Sequence, residues 1–137
     1  MVLQGLADEL VHREQLSPNF NERSLPINMV VLHYTEMKPV ETAIARMCDP
    51  AASVSAHYCI TEEGEVIRLV PEDRRAWHAG PGRWGTITDL NSASIGIEID
   101  NDGDTPFAPA QIDAVIRLLD DLCTRLRIPR TQVIGHA

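Results

Sequence analysis

The stretch that decides the fold is Ser94-Ile95-Gly96-Ile97-Glu98-Ile99-Asp100, in which the isoleucines occupy every second position. Such alternation is typical of a β-strand, because successive side chains of a strand point to opposite faces of its sheet. The isoleucines therefore share one face, and Gly96, Glu98 and Asp100 share the other. A carboxylate on a buried strand is costly unless it is paired or lies near a metal. Glu98 is thus a candidate functional residue, with an arginine ion pair or a solvent-facing sheet as the alternatives.

Two further apolar runs predict strands, and each ends close to a histidine. Residues 27–34 are rich in Val, Ile and Leu, which favours a central strand covered on both faces, and this run contains His33. Residues 131–135 predict the last strand, which His136 follows directly. Neutral imidazoles are the commonest ligands of zinc, although a single histidine at a strand end is more often a hydrogen-bonded structural residue.

The remaining patterns complete an α/β chain. Helical spacing of apolar residues predicts helices over residues 40–47 and 109–127, the second with an apolar stripe at positions 112, 115, 116, 119, 122, 123 and 126. Residues 57–61 and 65–70 predict a hairpin around Gly64, and residues 71–92 a functional loop. The order β-α-β-β-β-α-β predicts a mixed central β-sheet flanked by helices, with residues 1–26 as a polar lead-in and residues 27–137 as the domain.

Composition narrows the possible functions. The formal net charge is −8 and Lys38 is the only lysine, which argues against a nucleic-acid partner. No apolar stretch is long enough to predict a transmembrane segment. The first 18 residues lack the continuous apolar core of a secretory signal, so we expect a cytoplasmic protein, or a periplasmic one whose export signal has been removed. We expect Cys48, Cys59 and Cys123 to be small buried hydrophobic residues.

Two more segments carry candidate site residues. In Arg75-Ala76-Trp77-His78-Ala79-Gly80 the tryptophan offers a flat apolar surface for a sugar or peptide, and the small residues keep one wall open. The alternative places Trp77 in the core and His78 on the surface. His57 could be a third metal ligand, or it could support the neighbouring strand through a hydrogen bond.

Five segments in this order and spacing resemble one family. They are residues 31–35 (VLHYT), 54–58 (VSAHY), 75–80 (RAWHAG), 94–98 (SIGIE) and 134–136 (IGH). They are similar to segments of the zinc-dependent N-acetylmuramoyl-L-alanine amidases of the type 2 amidase family, whose fold is shared with peptidoglycan recognition proteins and phage T7 lysozyme. The resemblance implies hydrolysis of the amide between N-acetylmuramic acid and L-alanine in peptidoglycan or muropeptides.

The resemblance also implies roles for individual residues. His33 and His136 match the family's two histidine ligands of Zn2+, and Glu98 matches its catalytic base. The expected substrate-binding residues are Tyr34, Trp77, His78, Ala79, Gly80 and Asn91. With zinc as cofactor, Glu98 is expected to take a proton from water and deliver it to the leaving amine.

Three departures from the family pattern matter. Ala56 stands where the T7 lysozyme branch has a catalytic tyrosine, so we expect Glu98 to act alone. Asp89 stands where some members carry a basic residue, which leaves a preference for anhydro-muropeptides open. The family's third zinc ligand and a lysine lie in a Lys-x-Asp-Pro-Gly segment after the second histidine, and we expect both to be missing because the chain ends at Ala137.

Two alternative functions follow from these departures. One is a non-catalytic peptidoglycan-binding module, against which Glu98 argues, because a groove that only binds has no need of a base. The other is an inactive truncated amidase that lacks the third zinc ligand.

Overall fold

A mixed six-stranded sheet forms the centre of the protein. The computed structural model describes residues 9–80 and 86–135. Its strands are β1 (Arg13–Glu14), β3 (Met29–Tyr34), β4 (Tyr58–Ile60), β5 (Val66–Arg68), β7 (Ser94–Ile99) and β8 (Val133–Gly135). They lie in the order β1-β5-β4-β7-β3-β8, and every neighbouring pair is parallel except the antiparallel pair of β4 and β5. The predicted mixed central sheet is confirmed.

Helices cover both faces of this sheet. Helix α1 (Val40–Met47) packs Ile44 and Met47 against a cluster that includes Cys59 and Ile67. Helix α3 (Pro109–Arg125) packs on the opposite face, where the isoleucines of β7 join one core cluster with Leu118 and Leu122. A four-residue helix, α2 (Leu90–Ala93), leads directly into β7. The alternation of residues 94–100 therefore divides the faces as expected, and Glu98 lies on the side of α1.

Residues before position 27 contribute strands that the sequence did not predict. Strand β1 extends the main sheet beside β5, and β2 (Phe20–Glu22) pairs with β6 (Arg74–Ala76) in a separate two-stranded sheet. These strands are only two or three residues long, so they carry no periodic pattern. The short sheet fixes the start of the segment that carries Trp77 and His78.

The buried face of α3 differs from the predicted stripe. Ile112 and Ile116 are 46% and 54% exposed, whereas Gln111 is buried. The amide of Gln111 donates hydrogen bonds to the carbonyls of Ile60 and Asp100, so a polar residue occupies the place expected for an apolar one. The prediction was wrong for these two isoleucines, because periodicity alone does not identify a polar side chain whose hydrogen bonds are made with the backbone of the sheet.

The cysteines are unpaired thiols. Cys59 and Cys123 are buried as expected, whereas Cys48 is only partly buried. Over the part of the chain that the structure describes, no helix has the length and apolar character needed to cross a membrane. The cellular compartment stays a prediction from the sequence.

Candidate active site

Two adjacent parallel strands bring His33 and Glu98 together. In the pairing of β3 with β7, His33 lies directly opposite Glu98. Both residues are near the carboxyl ends of their strands, where open α/β sheets commonly bind ligands. His33 Nδ1 is 4.0 Å from Glu98 Oε2, and the two side chains are 8% and 17% exposed.

Glu98 is a largely buried carboxyl group with a raised pKa. Burial raises its pKa to about 7, against an opposing effect of the positive charge of Arg46 and with a smaller contribution from Glu36. Among the described residues, no lysine or arginine forms an ion pair with Glu98. The arginine ion pair that could have explained this carboxylate is therefore not found in residues 9–80 and 86–135. A carboxyl group that titrates near neutral pH can both accept and return a proton.

His33 contacts a second histidine. Its Nε2 is 3.0 Å from His78 Nδ1, and the two rings meet edge to face with their centroids 5.1 Å apart. His78 Nε2 lies 3.0 Å from the hydroxyl of Ser94. Both nitrogens of the His78 ring are therefore engaged, and the ring is partly buried, which excludes the surface position considered from the sequence.

Asn91 holds the loop that carries His78. Its side-chain oxygen accepts hydrogen bonds from the backbone amides of His78 and Ala79, at 3.0 and 2.8 Å. Ala79 is buried in a small core cluster with Met29 and Val31, while Gly80 is exposed. The predicted substrate contacts of Ala79, Gly80 and Asn91 stay predictions, and the structure gives Asn91 a role in fixing the loop.

His57 supports the neighbouring strand and is not a metal ligand. Its Nδ1 accepts a hydrogen bond from the backbone amide of Gly96, and its Nε2 lies 2.8 Å from the carbonyl of Arg74 and 2.9 Å from the guanidinium of Arg23. The ring is completely buried, and this burial, reinforced by the charge of Arg23, lowers its pKa to about 3. The hydrogen-bonded alternative for His57 is confirmed.

A cavity of about 190 Å³ opens beside Glu98. Tyr34, Trp77 and His78, three of the predicted substrate-binding residues, line it together with Glu98. The other lining residues, which the sequence analysis did not single out, are Thr35, Met37, Ala43, Arg46, Met47, Val54 and Ser55. Arg46 lies one helical turn after Ala43 on α1, so helical spacing could have placed it near the inner face. Trp77 is half-buried on the cavity wall, which favours the groove interpretation over a core position.

Asp89 performs a structural task. Its carboxylate accepts a hydrogen bond from the backbone amide of Ser92, which caps α2, and it forms an ion pair with Arg75 at 2.9 Å. Burial raises the pKa of Asp89, but the hydrogen bonds from Arg75 and Ser92, together with the charge of Arg75, outweigh this and keep the pKa below its usual value. An acidic residue at this position therefore anchors the loop and offers no positive charge to a substrate carboxylate.

The described residues supply part of a donor set that fits zinc. No three His, Cys, Asp or Glu side chains converge within residues 9–80 and 86–135 to hold a metal ion. His136, the second predicted ligand, lies outside the described residues. Strand β8 runs parallel to β3 up to the pair Leu32 and Gly135, one residue before each predicted histidine ligand. His33 also has the arrangement typical of a metal ligand, with one ring nitrogen held by a polar partner.

The fold and these residues define a family. The model of the N-acetylmuramoyl-L-alanine amidase family Amidase_2 matches residues 23–137, and the chain belongs to this family.

Particular relatives agree with this assignment. N-acetylmuramoyl-L-alanine amidase AmiD of Escherichia coli (strain K12) is 36% identical over 127 residues, which cover 81% of this chain and 45% of that protein. The 1,6-anhydro-N-acetylmuramyl-L-alanine amidase AmpD of Haemophilus influenzae is 28% identical over 144 residues, covering 90% of this chain and 78% of the relative.

Solved structures show the same fold. The crystal structure of a selenomethionine AmpD derivative superposes with a TM-score of 0.82 at 27% identity, covering 90% of this chain and 80% of that chain. Escherichia coli AmiD, in complex with the substrate anhydro-N-acetylmuramic acid-L-Ala-D-γ-Glu-L-Lys, gives a TM-score of 0.75 at 31% identity over 88% of this chain and 58% of that chain. The predicted amidase-like fold is confirmed. The chain spans under half the length of the curated AmiD relative, so the activity of the whole protein is a matter for proposal.

Proposed function

We propose that this protein hydrolyses the amide bond between N-acetylmuramic acid and L-alanine in peptidoglycan or muropeptides, with zinc as cofactor. The observation that carries the proposal is the position of Glu98, which is largely buried and lies directly opposite His33 on the neighbouring strand. Its pKa of about 7 suits a general base. Relatives of the same family bear the name of this activity, and AmiD has been solved with a substrate that contains this bond.

His33 and His136 are the residues proposed to hold the metal. When bound, zinc would supply the positive charge that makes a water molecule more acidic and polarises an amide carbonyl. The support from this chain is the hydrogen bond that orients the His33 ring and the run of β8 beside β3. Neither the hydrogen bond of His33 nor the pairing of β8 with β3 depends on the identity of a third zinc ligand.

Glu98 is the proposed proton carrier. Its carboxylate accepts a proton from the attacking water and returns it to the nitrogen of L-alanine, which leaves as a free amine. Burial makes the neutral and charged forms of Glu98 comparable in free energy near pH 7, so both transfers are possible without a large penalty.

The cavity beside Glu98 is the proposed substrate groove. Trp77 offers its ring to an apolar face of sugar or peptide, and Tyr34 lies half-exposed at the end of β3. Arg46 contributes a positive charge to the same wall. Because Asp89 is committed to Arg75 and the helix cap, we do not propose that it selects anhydro-muropeptides.

The test is cleavage of a muropeptide by the protein in its natural full length. Mass spectrometry should detect a stem peptide with a free L-alanine amine, and a chelator should stop its release until zinc is restored. Glu63→Gln, a change of an exposed acid in the β4–β5 turn, is the matched control and should cleave normally. Binding of the muropeptide without cleavage, in the presence of zinc, would establish the binding-module alternative instead.

A further inference from the structure

A chain of hydrogen bonds runs from the backbone carbonyl of Leu90 through Ser94 and His78 to His33. Because the carbonyl can only accept, it determines which atom is the donor in each of these bonds. The Ser94 hydroxyl lies 2.5 Å from the carbonyl oxygen of Leu90, which can only accept, so the hydroxyl donates its single proton there. The Ser94 oxygen must then accept from the His78 ring, which makes Nε2 the protonated nitrogen of a neutral His78.

The hydrogen bond between His33 and His78 has a fixed direction for the same reason. A neutral His78 that is protonated on Nε2 carries its lone pair on Nδ1, which is the atom 3.0 Å from His33 Nε2. His33 Nε2 is therefore the donor of this bond. A neutral His33 then carries its own lone pair on Nδ1, the nitrogen on the side of Glu98.

The surrounding chain is built to seat the His78 ring. Gly96 faces this ring, and a Cβ atom at that position would lie 2.4 Å from His78 Cγ, closer than any real contact. Asn91 meanwhile fixes the backbone at His78 and Ala79 through two hydrogen bonds. The segment that contains α2 and the start of β7 therefore determines where His78 sits and which way its ring faces.

We propose that His78 is a positioning residue that holds His33 in the tautomer protonated on Nε2, so that the Nδ1 lone pair faces the side of Glu98. This inference rests on the proposed function for its purpose, since it prepares His33 as a zinc ligand. Polar partners of this kind typically contribute 10- to 100-fold, as an order of magnitude, to metal affinity. His78 thus acts through His33, and this role is separate from the substrate contact that the family resemblance implies.

The test compares two substitutions that differ in whether they keep a hydrogen-bond acceptor for His33. His78→Asn keeps an acceptor near the position of Nδ1, whereas His78→Leu fills the space without one. Nitrogen-15 NMR of the metal-free protein reports which nitrogen of His33 is protonated, and zinc affinity is measured by competition with a chelator. A role in packing alone would affect His78→Asn at least as much as His78→Leu, because Asn is the smaller side chain and leaves more of the space empty.

The expected results separate this inference from the proposed function. Unaltered protein and His78→Asn should show His33 protonated on Nε2, while His78→Leu should lose this preference and bind zinc roughly 10- to 100-fold more weakly. His33 protonated on Nδ1 in the unaltered protein, which requires no variant, overturns the inference. So does a His78→Leu protein with unchanged tautomer and zinc affinity. If the unaltered protein binds no zinc, the proposed function fails, and the tautomer measurement alone still decides the role of His78.

Discussion

His57 and Glu98 should make the stability of this protein depend on pH in opposite directions. Burial lowers the pKa of His57 from 6.5 to about 3 and raises the pKa of Glu98 from 4.5 to about 7. Between roughly pH 5 and pH 7.5 the unfolded chain binds more protons at His57 than the folded protein, so stability rises with pH. At Glu98 the folded protein binds more protons, so stability falls with pH over the same interval.

The two contributions are similar in size. From these pKa values, His57 adds about 2 kcal/mol to the free energy of unfolding between about pH 5 and pH 7.5, and Glu98 removes about 2 kcal/mol. These two effects therefore nearly cancel in the unaltered protein. Removing either titrating group should therefore leave the contribution of the other visible in the pH dependence of stability.

The assay is urea unfolding at both pH values with metal removed by a chelator. His57→Asn keeps an acceptor for the Gly96 amide but does not titrate in this range, and Glu98→Gln removes the carboxyl group. Relative to the unaltered protein, the pH 5 to pH 7.5 change in stability should shift downward by about 2 kcal/mol in His57→Asn and upward by about 2 kcal/mol in Glu98→Gln. Comparison with the unaltered protein removes the contribution that the other carboxyl groups make to the pH dependence of stability.

The contradicting result is that both variants show the same pH dependence of stability as the unaltered protein. That result would mean that neither group changes its pKa on folding. A shift in only one variant would mean that the pKa shift of the other residue is wrong. For His57, the groups that would have to be reconsidered are the Arg23 guanidinium, the Arg74 carbonyl and the neighbouring ring of His78.

Three further predictions concern the surroundings of the site. Arg46→Gln should raise the pKa of Glu98, because a positive charge is lost, and an NMR titration of Glu98 that shows no upward movement would contradict this. Gly96→Ala should lower the free energy of unfolding by about 1–3 kcal/mol, since the new Cβ would overlap the His78 ring; denaturant unfolding measures it, and an unchanged value argues against the packing. Asp89→Ala should lower the free energy of unfolding by about 1 kcal/mol because it removes the cap of α2, whereas Asp89→Asn should keep most of that stability. Denaturant unfolding measures both variants, and equal losses would exclude the capping role.

The main elements of the fold could be predicted because their patterns are long. The alternation of β7 and the helical spacing of α1 each extend over enough residues to define a face, and the structure has α1 at the predicted bounds. Strands β1, β2 and β6 are too short to carry a period, and they form because backbone groups elsewhere need partners. Ile112 and Ile116 are exposed because Gln111 faces the sheet and donates a hydrogen bond to the carbonyl of Ile60. Apolar periodicity does not predict such a contact.

The site was partly predictable. Strand alternation gave the shared face of Gly96 and Glu98, and the family resemblance named His33, but the contact between His33 and His78 joins residues 45 positions apart. It depends on the hydrogen bonds of Asn91 and on the missing side chain at Gly96, neither of which has a pattern of its own in the sequence. The part played by Asp89 was hidden for the same reason, because its partner Arg75 is brought near only by the folded loop.

Amide hydrolysis at this site is proposed to depend on Glu98 as its general base. The most direct test is the rate of muropeptide cleavage by Glu98→Gln, measured with its zinc content in the same preparation. We expect the rate to fall by about 100-fold or more with bound zinc unchanged, since a general base typically contributes this much. A rate close to that of the unaltered protein, with zinc still bound, would contradict it.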